Sequence, residues 1–267
     1  MKKIISLVLA AIMLICCTSV FAESPLSFTP ADVLEWLAAG DQNAADVDEQ
    51  AANASYNLGL ALAYVTSLNA NEDQLASLQD ILNALVEVRD NEELSASQKQ
   101  GVNCAYIVRL LTLLCKESDV EGVHAERLQG YIDSYNEADE SIDSSEGQTV
   151  NALFTSVKLA TLLVEECCTS QELIDQLQSG VSEMSAENEA AENASEQMVI
   201  GAKWLRKMLG AFAKLNNSNC ISMIEQEWNL RESLIVENEL NANQTLVQYL
   251  ASSVYAMAIF TGFYTVE

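Results

Sequence analysis

Apolar and polar positions along this chain alternate with a helical period, and from about residue 52 two kinds of segment take turns. Segments over about 52–69, 98–116, 146–168, 194–216 and 242–265 are apolar on more than one side. In the third, Val150, Leu153, Phe154, Val157, Ala160 and Val164 form one stripe, while Ala152, Leu159 and Leu163 form a second. Such a helix must be packed between neighbours. Segments over about 72–89, 119–136, 170–186 and 219–236 carry a single stripe, such as Leu173, Leu177, Val181 and Met184, and are expected to show their other side to solvent.

Helix starts recur with the same rhythm. Ser97-x-x-Gln100, Ser145-x-x-Gln148, Asn193-x-x-Glu196 and Asn241-x-x-Gln244 each have the form of a capping box and lie 48 residues apart. Single-stripe segments start at Asn71-x-x-Gln74, Ser118-x-x-Glu121 and Thr169-x-x-Glu172. A fixed spacing of this kind marks an internal repeat. After Pro30 the chain has no proline, so nothing of that kind breaks a helix over the last 237 residues. Short connections make each pair an antiparallel hairpin, and the second stripe of each apolar helix calls for another hairpin stacked on it. The expected fold is therefore all-α: an α-solenoid of antiparallel helical hairpins with a period of about 48 residues, with an irregular helical bundle as the alternative. Repeats start near 49, 97, 145, 193 and 241, in a domain over 52–267.

Ahead of the repeats, Lys2 and Lys3, an apolar run from Ile4 to Cys17 and Val20-Phe21-Ala22 have the form of a secretory signal peptide over 1–22, cleaved after Ala22. Residues 23–51 form a tether and a short capping helix, with Thr29 as N-cap, Pro30 at its first position and Gly40 at its end. The expected location is secreted or periplasmic. The uncharged last helix, Thr245 to Val266, is interrupted by Gln248, Ser252, Ser253 and Thr261 and closes the stack rather than spanning a bilayer.

Charge narrows the range of partners. The whole chain carries −26, and without Lys2 and Lys3 there are 11 basic and 39 acidic residues, a net charge of −28. Such a chain repels phosphate backbones and anionic lipid, which argues against nucleic acid and membrane surfaces. Its 49% hydrophobic residues are enough for a folded core. The acids crowd into the loops that end each repeat: Asp90, Glu92 and Glu93, then Glu137, Asp139, Glu140, Asp143 and Glu146, then Glu187, Glu189, Glu192 and Glu196. Stacking puts these loops on one edge, where weak divalent-cation binding is conceivable alongside plain solubility.

Few residues suggest catalysis. His124 is the only histidine, which removes multi-histidine zinc sites and the HExxH helix, and it reads as a surface residue near Glu121 and Glu126. No phosphate loop, dinucleotide fingerprint or Gly-x-Ser-x-Gly elbow occurs. Neither a metal nor a cofactor is called for. Five cysteines follow the signal, and export would allow disulfides; Cys115 with Cys167 and Cys168 with Cys220 are the expected pairs, leaving Cys104 as a buried thiol. Against the acidic background, five of the eleven bases gather in the apolar helices. Under the 48-residue spacing Lys158 and Arg206 coincide, Arg109 lies one residue off, and Lys203 and Lys207 flank Arg206. These five are the candidate ligand-binding residues. The functional expectation is an exported, non-catalytic binding or scaffold module for a protein or small anionic ligand. The alternatives are a secreted all-α hydrolase with paired carboxylates and an acidic cation-binding surface protein.

Overall fold

The computed structural model describes residues 46–118 and 120–261; the expected signal peptide and capping helix lie outside the described residues, and of the stretch 23–51 only residues 46–51 are described, as the N-cap and start of the first helix. Those described are helical almost throughout and include no strand. In chain order the helices are α1 (Val47–Ser67), α2 (Glu72–Asp90), α3 (Ala96–Glu117), α4 (Val120–Asp139), α5 (Ser145–Cys167), α6 (Gln171–Ala190), α7 (Ala194–Asn216), α8 (Ile221–Glu237) and α9 (Ala242–Phe260), with a 3-10 turn at Ser218–Cys220 before α8.

The N-caps set the register. Asp46, Ser95, Ser144, Asn193 and Asn241 each accept a first-turn N–H at the start of an odd-numbered helix, and Ser95 and Asn241 close full capping boxes with Gln98 and Gln244. Their spacings are 49, 49, 49 and 48 residues. The expected caps at Asn193 and Asn241 hold, whereas those at Ser97 and Ser145 move to Ser95 and Ser144, and α1 starts at Val47 rather than near 52. For the outer helices, Asn71 makes the expected box with Gln74, and Ser170 takes the role expected of Thr169. At Ser144 the reason for the shift is steric. Ile142 folds over the first turn of α5, and a Cβ at Gly147 would come 2.7 Å from its methyl, so only glycine lets the loop close one residue early.

The five odd-numbered helices run parallel and pack side by side, α1 on α3, α3 on α5, α5 on α7 and α7 on α9. Near-equivalent residues meet across these junctions. Asn103 Nδ2 donates to the Ala52 carbonyl at 3.1 Å, Ser97 Oγ lies 3.3 Å from Glu146 Oε1, and Asn216 Nδ2 lies 3.4 Å from Cys167 Sγ. The stack then closes on itself, because α9 also packs against α1, with Asn243 Nδ2 donating to Asp48 Oδ1 at 2.9 Å. Closure has a physical motive. An open solenoid needs polar faces at its ends, yet α1 has no charged residue from Ala51 to Ser67 and α9 has none at all. The hairpin repeat is thus a ring of five inner helices, with outer helices on its circumference.

The ring is filled. Counted from the caps, equivalent residues form layers across its axis: Ser55, Cys104, Leu153, Ala202 and Leu250; Leu58, Ile107, Ser156, Leu205 and Ser253; Leu62, Leu111, Ala160, Leu209 and Met257. All fifteen are at most 1% exposed, so the centre is a packed core and not a channel. One layer nearer the helix starts, Gln100 Nε2 on α3 reaches Met198 Sδ on α7 at 3.5 Å, a contact between helices that are not neighbours in the ring. The core hydroxyls of Ser55, Thr66, Thr161 and Ser253 donate to carbonyls three or four residues back in their own helices, whereas the buried Ser156 hydroxyl has no hydrogen-bond partner among the described residues.

Each even-numbered helix lies outside the junction of the two inner helices that flank it in sequence: α2 on α1 and α3, α4 on α3 and α5, α6 on α5 and α7, and α8 on α7 and α9. Their buried stripes are narrow. In α6 only Leu177, Gly180 and Met184 are fully covered. Gly180 is the seat of the Trp204 ring, which a Cβ there would approach to 2.7 Å.

Candidate functional site

With the caps at 95, 144 and 193, Arg109, Lys158 and Lys207 occupy one and the same position, fourteen residues into α3, α5 and α7. This corrects the alignment expected under a 48-residue spacing, in which Arg206 was the third member. The physical cause is the early caps at Ser95 and Ser144, which lengthen two of the steps by a residue.

The two classes of base behave differently. Arg206 is one position earlier, where α1, α3, α5 and α9 carry Gly59, Val108, Val157 and Val254, and it is buried. Its Nη2 meets Glu232 Oε1 of α8 at 2.5 Å, and its guanidinium lies over the rings of Tyr249 (4.5 Å) and Trp228 (5.3 Å). Lys203 bonds both oxygens of Glu187 on α6, at 2.9 and 3.0 Å, and Trp204 Nε1 donates to the same carboxylate at 3.0 Å. Burial would raise the Glu187 carboxyl, but the Lys203 and Trp204 hydrogen bonds outweigh it and hold it below the usual range. Arg206 and Lys203 therefore tie outer helices to the ring.

Arg109, Lys158 and Lys207 make no ion pair with a carboxylate among the described residues. Each instead lies near an aromatic face: Arg109 over Tyr106 at 5.3 Å, Lys158 over Tyr131 of α4 at 5.7 Å, and Lys207 over Trp204 at 4.0 Å. A cation held this way gains about 0.5–1 kcal/mol at a wet site and keeps its charge available. Burial lowers the Lys207 ammonium below its ordinary value, and neighbouring Lys203 adds to that. Since α4 and α6 cover the junctions between α3, α5 and α7, the three bases stand in successive grooves around the circumference rather than in one concave row.

The other sequence candidates are placed as follows. Cys104, Cys115, Cys167, Cys168 and Cys220 are all free thiols. The expected disulfides do not form: Cys115 points at the Leu159 carbonyl in the core (3.5 Å), Cys167 meets Asn216, and Cys220 turns back on the carbonyls of Ala213 in the last turn of α7 and Asn217 just after it. Burial pushes the Cys104 and Cys115 thiols up to about 12, which makes them inert. His124 is not a free surface residue. It interrupts α4 with φ −119° and ψ 19°, and its Nε2 lies 3.7 Å from Glu165 Oε2. Glu165 is itself buried and held by Arg127 at 2.5 Å and Gln178 at 3.5 Å. The second buried carboxylate, Glu227, is bonded by Arg231 at 2.6 Å and by the Ser252 hydroxyl. The loops that end each repeat all lie at the end of the ring where the inner helices start, which makes an acidic rim. Among the described residues no group of three or more His, Cys, Asp or Glu side chains could hold a metal ion.

At this rim the structure adds a cavity that sequence reasoning missed. It is a half-open cleft of about 170 Å³ between α1, the end of α2 and the start of α3, and Glu49, Tyr56, Arg89, Lys99 and Asn103 are among the residues that line it. Arg89 is fixed by Asp90 (2.7 and 3.0 Å) and by the Tyr56 hydroxyl (3.1 Å), and Lys99 Nζ bonds the Arg89 carbonyl at 2.7 Å. The signal that would have found it is Asn103, an amide at a position where α1, α5 and α7 have Ala54, Ala152 and Gly201.

No family model matches this chain, and no curated protein or solved structure is similar to it. No described helix is long and apolar enough to cross a membrane.

Proposed function

We propose that this is an exported, non-catalytic binding module that engages an anionic surface of a protein partner through Arg109, Lys158 and Lys207. One observation carries the reading. In a chain of net charge −26, three bases recur at one repeat position, none of them in an ion pair with a carboxylate among the described residues, and each lies near an aromatic ring. Elsewhere on the ring Arg89, Arg127, Lys203, Arg206, Lys214 and Arg231 are spent on the protein's own acids. Neighbouring inner helices stand roughly 8–10 Å apart, so the three points span about 20 Å, too far for one small anion to bridge. A partner that places acids in successive grooves suits them better. Unpaired charge at a rim acts mainly by steering and selecting partners.

The hydrolase alternative gains nothing from the two most buried carboxylates, since Glu165 and Glu227 are each engaged by an arginine. Export rests on the form of residues 1–22.

The test is photo-crosslinking from position 106, beside Arg109, in the organism's own envelope or medium. The reading expects a discrete adduct that disappears when Arg109, Lys158 and Lys207 are all changed to glutamate and when salt is raised. A triple change of the rim residues Glu92, Glu140 and Glu189 to glutamine should leave the adduct in place. An adduct that survives the triple glutamate variant would end the proposal.

A further inference from the structure

We propose that Lys207 is a nucleophilic amine that captures small aldehydes as reversible imines, a covalent site that does not depend on the partner reading above. Placement is the first reason. Lys203 and Lys207 stand four residues apart on α7, neighbours on one face of the helix, where like charges repel. Both ammonium groups lie over the Trp204 ring, at 5.9 and 4.0 Å from its centre. The carboxylate best placed to neutralise the pair is Glu187 of α6, and it is taken: Lys203 bonds both of its oxygens, and the Trp204 indole N–H adds a third bond. Lys207 is the base left over. It is also reachable, being partly exposed, with an Nζ that makes no hydrogen bond among the described residues and is open to solvent.

Partial desolvation and a second cation one helical turn away are the two conditions that activate a lysine, because both penalise its charged form. Burial, and after it the charge of Lys203, lower the Lys207 ammonium below its ordinary value; Arg206 adds to this, while Glu187 and Glu183 of α6 oppose it without reversing it. Lys158 supplies the contrast. It too lies near a ring, that of Tyr131, but α5 carries no other base. The chemistry is that of a free amine meeting a carbonyl. The Nζ lone pair adds to the carbonyl carbon, the carbonyl oxygen takes up a proton as the nitrogen gives one up, and the carbinolamine loses water to leave a C=N bond. Nothing is oxidised or reduced and water is the leaving group, so the step needs no co-reactant, and hydrolysis reverses it.

The experiment is reductive trapping of the full chain with propanal and cyanoborohydride at neutral pH, read lysine by lysine through peptide mass spectrometry. Lys207 is expected to label fastest of the lysines, about threefold or more ahead of Lys158, and to go on labelling at a lower pH than Lys158 does. Lys203→Met removes the second cation and releases Glu187 to pair with Lys207, so it should slow the labelling of Lys207 to the rate of Lys158. The ranking within the unaltered chain is a test by itself, whether or not that variant folds. Labelling of Lys207 no faster than that of Lys158 would overturn the proposal, and so would a Lys207 rate untouched by Lys203→Met in a folded variant. Crosslinking to a partner can fail with this result intact, and the reverse, so the two readings are separately tested.

Discussion

The inner and outer helices of this ring solve different problems. Inner helices such as α5 and α7 are covered on almost every side, and their contacts are layers of apolar side chains with a few hydroxyls among them. Outer helices bury a narrow stripe, and ion pairs such as Glu187–Lys203 and Glu232–Arg206 tie two of them down. Stability is therefore concentrated in the layers, while charge, grooves and every candidate binding residue lie on or beside the outer shell. A repeat protein organised this way can alter its surface chemistry without disturbing what holds it together.

The sharpest way to break this comparison is to open a cavity in each shell. Leu209→Ala, in a fully buried layer, should cost about 3–4 kcal/mol, and Leu177→Ala on α6 about 2 kcal/mol, as read from urea unfolding midpoints. Equal costs would mean that the outer helices share the core. Next in size is Arg127→Ala, which leaves the buried Glu165 carboxylate with only Gln178 and His124 nearby. A loss of about 2–3 kcal/mol is expected, at or below the low end of the range for a broken buried pair because Arg127 itself is partly exposed. The double variant Arg127→Met/Glu165→Leu should cost less than the single change, and a larger cost would show that the pair contributes net stability.

A smaller effect concerns pH. Burial lifts the Glu117 carboxyl, at the end of α3, from an ordinary 4.5 to about 7, and neither of its oxygens has a hydrogen-bond partner among the described residues. A raised folded value means that the folded state binds the proton more tightly. Its contribution is thus complete below about pH 4.5 and is lost as pH rises through about 7. Glu117→Gln should flatten the decline in melting temperature between those limits, and an unchanged slope would remove Glu117 as its cause. The smallest change tests the register: Ser95→Ala should cost about 1 kcal/mol and Ser97→Ala a few tenths at most, as measured by thermal unfolding.

Much of this architecture was legible in the amino-acid pattern. The alternation of two-stripe and one-stripe helices, the caps at Asn71, Asn193 and Asn241 and the hairpin repeat follow from local rules of periodicity and capping. The exact start of α3 did not, because Ser95-x-x-Gln98 and Ser97-x-x-Gln100 are equally good boxes, and only tertiary packing chooses between them. That slip of one or two residues put Arg206 in the place of Lys207 among the candidate bases. Ring closure was not legible either, since it depends on the small turn each hairpin makes relative to the last, a quantity no local pattern encodes. The rim cavity was hidden for the same reason: Glu49, Arg89 and Asn103 lie on three helices and meet only when the register is right.

Closure of the ring is the claim on which the layers, the grooves and the acidic rim all depend, and one distance tests it. Spin labels would be placed at positions 48 and 243, with Cys16, Cys17, Cys167 and Cys168 changed to serine so that the thiols left are the buried Cys104, Cys115 and Cys220. A closed ring predicts a separation of about 10–20 Å, one helix-to-helix step plus the label arms. A separation of about 40 Å, four such steps in an open stack, would contradict it.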